Sequence, residues 1–128
     1  MSAHTVWLPF PPSVNCLFST SMDGRRRFPS RRYRTWRKSA GSILMAARVR
    51  PTPGSYHLKI KLRAPDKRAR DADNHIKAIS DLIVAHALVG DDSMAVSVSA
   101  EWTNEGLPGA WVTITPAEKG EAASVGNR

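Results

Sequence analysis

The sequence predicts an α+β fold: a single domain with one mixed sheet of about four strands and two helices packed on it. Three observations predict it. The chain has 128 residues and 41% hydrophobic composition, enough for one core and no more. Four stretches alternate apolar and polar residues with the period of a strand. Two stretches carry apolar residues at helical spacing.

The elements follow in order. Thr5–Phe10 places Val6, Leu8 and Phe10 on one side of a first strand, and the Pro11-Pro12-Ser13-Val14-Asn15 run stops it. Ser19–Pro29, with Gly24 and few apolar side chains, reads as a mobile loop. Ser30 can cap a helix reaching about Arg48, with Tyr33, Trp36, Ala40, Leu44 and Ala47 on one face. Gly41 inside it costs about 1 kcal/mol relative to alanine. Ser55–Ala64 is the clearest strand: Tyr56, Leu58, Ile60 and Leu62 face a core, and His57, Lys59, Lys61 and Arg63 form a cationic stripe. A second helix is expected from about Asp73 to Leu88, with Ile76, Ile79, Ile83 and Ala87 inward and Gly90 as its stop. Met94–Trp102 alternates next, with Met94, Val96, Val98, Ala100 and Trp102 expected inward. Ala110–Thr115 is the last strand, with Val112 and Ile114 inward; the turn-rich 104–109 segment predicts a hairpin between these two strands. The order is therefore β-α-β-α-β-β, with the domain at 1–116 and a polar, frayed tail at 117–128.

Composition bounds the function. No run approaches the roughly 18 apolar residues of a membrane span, and Met1–Phe10 lacks the pattern of a signal peptide, so a cytoplasmic location is the expectation. Cys16 is the one cysteine, which excludes an internal disulfide and a cysteine-based zinc site and leaves a buried thiol as its expected role. The net charge is +8, which suits a polyanion, with nucleic acid the first candidate. Arg25, Arg26, Arg27, Arg31, Arg32, Arg34, Arg37 and Lys38 put eight positive charges into fourteen residues, and Lys59, Lys61, Arg63, Lys67, Arg68 and Arg70 form a second group. The four histidines have no metal-ligand spacing. The four tryptophans are expected mostly in core or interface, although Trp36, beside Arg34 and Arg37, could stack on an unpaired base.

The acids are clustered as well: Asp66, Asp71, Asp73, Asp81, Asp91 and Asp92 are six of the eleven. In extended chain residues i and i+2 point to one side, so Asp71 and Asp73 can converge. Asp92 lies beyond a helix of about 16 residues and hence about 24 Å long. It can join them only if the chain folds back after Gly90 or a second subunit supplies it. Carboxylates about 4 Å apart repel by about 4 kcal/mol at an effective dielectric of 20, and a hard divalent cation relieves that. Oxygen donors favour magnesium or manganese, which can generate a nucleophile from water and stabilise charge on a phosphodiester. Lys77, four residues after Asp73, shares its helical face and could stabilise developing negative charge. A second reading stands beside this one: Asp73 or Asn74 caps a helix, Lys77 pairs with Asp73 or Asp81, and Asp91-Asp92 forms a turn. Asn74 and Asp91 either orient the ligands or merely cap and turn the chain.

The run Leu8-Pro9-Phe10-Pro11-Pro12-Ser13-Val14-Asn15, the segment from Pro65 to Lys77 with its Asp71-Ala72-Asp73-Asn74 core, Asp81-Leu82, and Gly90-Asp91-Asp92-Ser93 together resemble the RusA family of Holliday-junction resolvases over about Val6 to Thr115. The resemblance implies that Asp71, Asp73 and Asp92 bind an essential magnesium and that Lys77 assists cleavage. It also implies an interlocked homodimer acting on a four-way DNA junction, with paired nicks leaving 5′-phosphate and 3′-hydroxyl ends. In that picture Arg25, Arg26, Arg27, Arg31 and Arg32, with Lys59, Lys61, Arg63, Lys67, Arg68 and Arg70, grip phosphates. The loop at 22–32 is richer in arginine than the family pattern leads one to expect. Two competing readings are a basic DNA-binding protein without catalysis and a nuclease for other branched DNA.

Overall fold

A computed structural model describes residues 3–118. The expected tail lies outside the described residues from 119 onward; before that, the Ala117 N–H still bonds the Ser55 carbonyl at 3.0 Å. Six strands and two α-helices form: β1 (His4–Leu8), β2 (Phe18–Thr20), β3 (Arg27–Pro29), α1 (Arg31–Ala47), β4 (Tyr56–Arg63), α2 (Ile76–Ala85), β5 (Ala95–Trp102) and β6 (Gly109–Pro116). Short 3₁₀ segments at Val14–Cys16, Ala72–His75 and Asp92–Met94 sit at the bends. The main sheet is mixed, in the order β1-β6-β4-β5.

β4 is central because its alternation is complete. Tyr56, Leu58, Ile60 and Leu62 are buried and lie beside Ile114, Val112 and Ala110 of antiparallel β6, while Lys59 and Lys61 stay exposed on the other face. The helices supply the opposite wall. Tyr33, Trp36, Ala40 and Leu44 of α1 and Ala78, Ile79, Leu82 and Ile83 of α2 join the same core. Ser30 caps α1 as its sequence suggests, accepting from the Tyr33 N–H at 3.1 Å. Gly41 has a packing reason: a β-carbon there would lie 2.8 Å from the His86 ring nitrogen, so the glycine admits the end of α2.

Four expectations are corrected. β5 and β6 do not form a hairpin; β4 lies between them, parallel to β5 and antiparallel to β6. The connection 103–108 must therefore arch over the end of β4, about 10 Å across. It is pinned there by the Thr103 N–H on the Leu62 carbonyl and by Arg63, whose Nη1 donates to the carbonyls of Asn104 (2.6 Å) and Gly106 (2.7 Å). Second, β5 is an edge strand whose expected inward set is incompletely covered, with Val98 at 42% and Trp102 at 41% exposure, while a register shift against β4 buries Ala95, which the alternation places outward. Third, residues 18–29 form the β2–β3 hairpin rather than a structureless loop. The Gly24 N–H bonds the Ser21 carbonyl, and Asp23 accepts from the Arg25 N–H and the Ser21 hydroxyl. Fourth, α2 is shorter than its apolar pattern. It ends at Ala85, and Ala87, at φ 57°, takes the left-handed turn instead of Gly90, so that the Leu88 N–H closes on the Ile83 carbonyl.

Candidate active site

The segment between β4 and α2 carries most of the candidate groups, and its shape comes from one carboxylate whose role the sequence reading left open. Asp66 receives both guanidinium nitrogens of Arg70, at 2.7 and 3.0 Å, and the Arg68 N–H at 2.9 Å. Those bonds, Arg70 first, hold its carboxyl well below the usual carboxylate range. The Asp66-to-Arg70 spacing of four residues was the available signal. Arg70 in turn lies over the Phe10 ring, 5.3 Å from its centroid. Two of the expected phosphate-gripping cations, Arg68 and Arg70, are thus engaged by Asp66 and frame the loop, while Lys67 is exposed.

Asp71 stays extended and precedes the 3₁₀ turn Ala72–His75, its carbonyl accepting the Asn74 N–H at 3.1 Å. Neither Asp71 nor Asp73 is buried, and the Asp71 side chain makes no capping bond. What fixes the turn is His75. It is 3% exposed and its Nδ1 lies 2.9 Å from the Pro11 carbonyl, tying the acidic segment to the proline run after β1. Its ring meets Phe10 at 4.7 Å and Trp102 edge-on at 6.1 Å. Burial pushes its pKa down, favouring the neutral ring. Metal-ligand spacing does not single His75 out among the four histidines; its signal is adjacency to the Asp71–Asn74 motif.

Lys77 pairs with Asp81, Nζ to carboxyl oxygen at 3.0 Å, rather than with Asp73. The Asp81 bond, with a further contribution from Asp92, raises its pKa and keeps it charged. Asp92, which follows α2 in the chain, thus contributes electrostatically at Lys77. Asp92 is exposed at the start of its 3₁₀ turn, and Asp91 caps that turn through the Ser93 N–H and hydroxyl. The Ser93 bonds hold the Asp91 carboxyl below its usual range. The Tyr56 hydroxyl donates to the Asp91 carbonyl at 3.3 Å, anchoring the turn to β4. Within a single chain, no group of three histidine, cysteine, aspartate or glutamate side chains among the described residues lies close enough to hold a metal ion.

The basic residues divide between two faces. Arg31 and Arg32 occupy the first turn of α1, where no acid opposes them, so their charge adds to the positive end of a 17-residue helix. Arg25 and Arg26 are exposed on the hairpin, and the Arg27 guanidinium lies 4.4 Å above the Phe18 ring. Lys59 and Lys61 point away from the helices, and Arg63 is the clamp described above. Trp36 is buried, its Nε1 donating to the Pro9 carbonyl at 2.8 Å. Cys16 is a free, half-buried thiol. No helix among the described residues is long and apolar enough to cross a membrane.

The profile of the family described as Endodeoxyribonuclease RusA matches residues 9–115. The crossover junction endodeoxyribonuclease rusA of Enterobacteria phage HK97 is 27% identical over 93 residues, covering 72% of this chain and 76% of the phage protein. The matched span runs from the end of β1 through the acidic segment and α2 to β6, the whole framework of the site, and the chain therefore belongs to the RusA endodeoxyribonuclease family.

Proposed function

We propose that this protein is a magnesium-dependent endonuclease that resolves four-way DNA junctions by paired nicking, working as a homodimer in recombination and repair in the cytoplasm. One observation carries the reading: an exposed Asp71–Asp73 pair, held by a braced loop beside arginine-rich surface, in a chain of the RusA family. Asp71, Asp73 and Asp92 would hold the magnesium, or manganese in its place. The donor set fits, since it is all carboxylate oxygen and neither Cys16 nor a histidine belongs to it. Bound there, the ion would supply a nucleophile from water and stabilise charge on the phosphodiester.

The chain's own residues do the rest. Lys77, kept protonated by Asp81, presents a fixed positive charge to the developing charge of the phosphate or leaving oxygen. Asn74 and Asp91 shape the turns that carry the ligands. Arg25, Arg26, Arg31, Arg32, Lys59, Lys61 and Lys67 face solvent and suit phosphates on the arms of a branched duplex. The three acids, which no single chain gathers into a metal-holding group among the described residues, would converge when a second copy pairs with the first, an arrangement that would also give two equivalent sites for two nicks.

A non-catalytic DNA binder is the second reading, favoured by the absence of a three-ligand cluster within one chain among the described residues. Cleavage of a synthetic four-way junction against linear duplex, with and without magnesium, separates the two. Asp71→Asn is expected to lower cleavage roughly 100-fold or more while junction binding holds or tightens, because one repelling charge is gone. Junction that the wild-type protein binds but leaves uncut in magnesium would falsify the enzymatic reading.

A further inference from the structure

A pocket of about 470 Å³ opens directly beside Asp71, and its walls join that acidic segment to the proline run after β1 and to α1. Phe10 and the small exposed part of Trp36 contribute aromatic surface, while Arg32, Arg68, Arg70 and Asn74 contribute polar groups, with Asp71 in the same wall. The volume falls within the range of about 300–1,000 Å³ typical of small-ligand sites. We infer that this pocket receives a single nucleobase, extruded from the strand whose phosphate lies at Asp71. The inference rests on the nuclease reading of Asp71 and adds to it a means of choosing where to cut.

The chemistry favours a base over a second phosphate. Three arginines would suit either ligand, but a phosphate has no use for the aromatic and proline surface and is repelled by the Asp71 carboxylate, whereas a base needs apolar surface with donors and acceptors at its edge. Asn74 offers both from one amide, and Arg32 offers donors. The walls are set before binding. Trp36 is bonded to the Pro9 carbonyl, His75 to the Pro11 carbonyl, and Arg70 to Asp66. The slot therefore need not be ordered when a base enters. Branched DNA supplies the occupant, because a base at a branch point has lost part of its stacking and costs less to extrude. Asp71 shares the wall with these groups, which places the reacting phosphate adjacent to the captured nucleotide rather than several steps away.

The test uses the full chain without magnesium and a four-way junction carrying 2-aminopurine at successive positions around the branch. Fluorescence is expected to rise about twofold or more at one position, next to the phosphate cut when magnesium is added. Cys16, the chain's one cysteine, lies in the pocket wall and serves as a plug site. Coupling it to a bulky maleimide should remove the rise while gel shift still shows bound junction. Cys16→Ser protein treated identically should keep the rise. A rise that survives complete coupling, or none at any position in a bound complex, overturns the inference. The two readings separate cleanly: cutting without unstacking sinks the pocket alone, and unstacking without cutting after magnesium is added sinks the nuclease alone.

Discussion

Gly109 and His75 show how single residues hold the site's surroundings. Gly109 opens β6 at φ 147°, and a β-carbon there would lie 2.4 Å from Trp7 Nε1 and 2.5 Å from the Leu8 carbonyl oxygen. The second neighbour is backbone and cannot swing aside. Gly109→Ala is expected to cost about 2 kcal/mol or more, read as a lower urea midpoint. A loss under half a kilocalorie would mean that β1 and β6 yield more readily than their five-residue register implies. His75 makes stability depend on pH. Its folded pKa lies below the ordinary value of about 6.5, so the unfolded chain binds the extra proton more readily. Its contribution is full above that pH and is lost as pH falls from it toward the folded value, with a slope of at most about 1.4 kcal/mol per pH unit. Urea midpoints between pH 7.5 and 5.5 should decline, and His75→Gln should flatten the decline. Parallel curves for the two proteins would remove His75 as the cause.

At the scale of elements, the β2–β3 hairpin is largely exposed. Its turn is closed by Ser21, Asp23 and Gly24, and it presents fully exposed Met22 with Arg25 and Arg26 alongside. A hairpin held by its own hydrogen bonds keeps those arginines together, where a slack loop would disperse them. Replacing Arg25, Arg26 and Arg27 with alanine should weaken junction binding and reduce the slope of log affinity against log salt by about 2–3. A titration series with an unchanged slope would take the hairpin off the DNA surface. The loop over β4 follows a different logic: Arg63, which the alternation alone assigns to a cationic stripe, spends its guanidinium on two loop carbonyls.

Among the described residues the main sheet has two edges, β1 and β5, and apolar side chains are left exposed at the second. β5 is an edge strand, and Val98, on the side of the sheet that should meet core, remains 42% exposed. An open strand with apolar groups is a surface that a second chain can cover. The proposed homodimer is expected to cover this edge. Light scattering at micromolar concentration should give twice the 14.1 kDa chain mass, and Val98→Glu should shift the protein to monomer and reduce cleavage in parallel. A wild-type monomer at those concentrations would leave Asp92 without the partner that the proposed metal site requires.

Much of the fold was legible because it depends on local periodicity. β4, β6, the α1 cap at Ser30 and the middle of both helical faces follow from spacings of two and of three to four residues, which the sequence displays directly, whereas Ala47 and Ala87, expected inward, are exposed at the helix ends. The same holds for the Asp71–Asn74 motif and the family it marks. Which strand lies beside which was not legible. A short connection between β5 and β6 suits a hairpin equally well, and nothing local announces that β4 inserts between them. The partners of charged groups were hidden for the same reason. Arg63 finds its carbonyls, Asp66 its arginines, and Lys77 chooses Asp81 over Asp73 only once backbone segments have met. Sequence by itself determined the elements, the core faces and the chemical inventory, since each is a property of neighbouring residues. Tertiary structure alone decided strand order, the open edge and the pocket beside Asp71, because these depend on contacts between residues far apart in the chain.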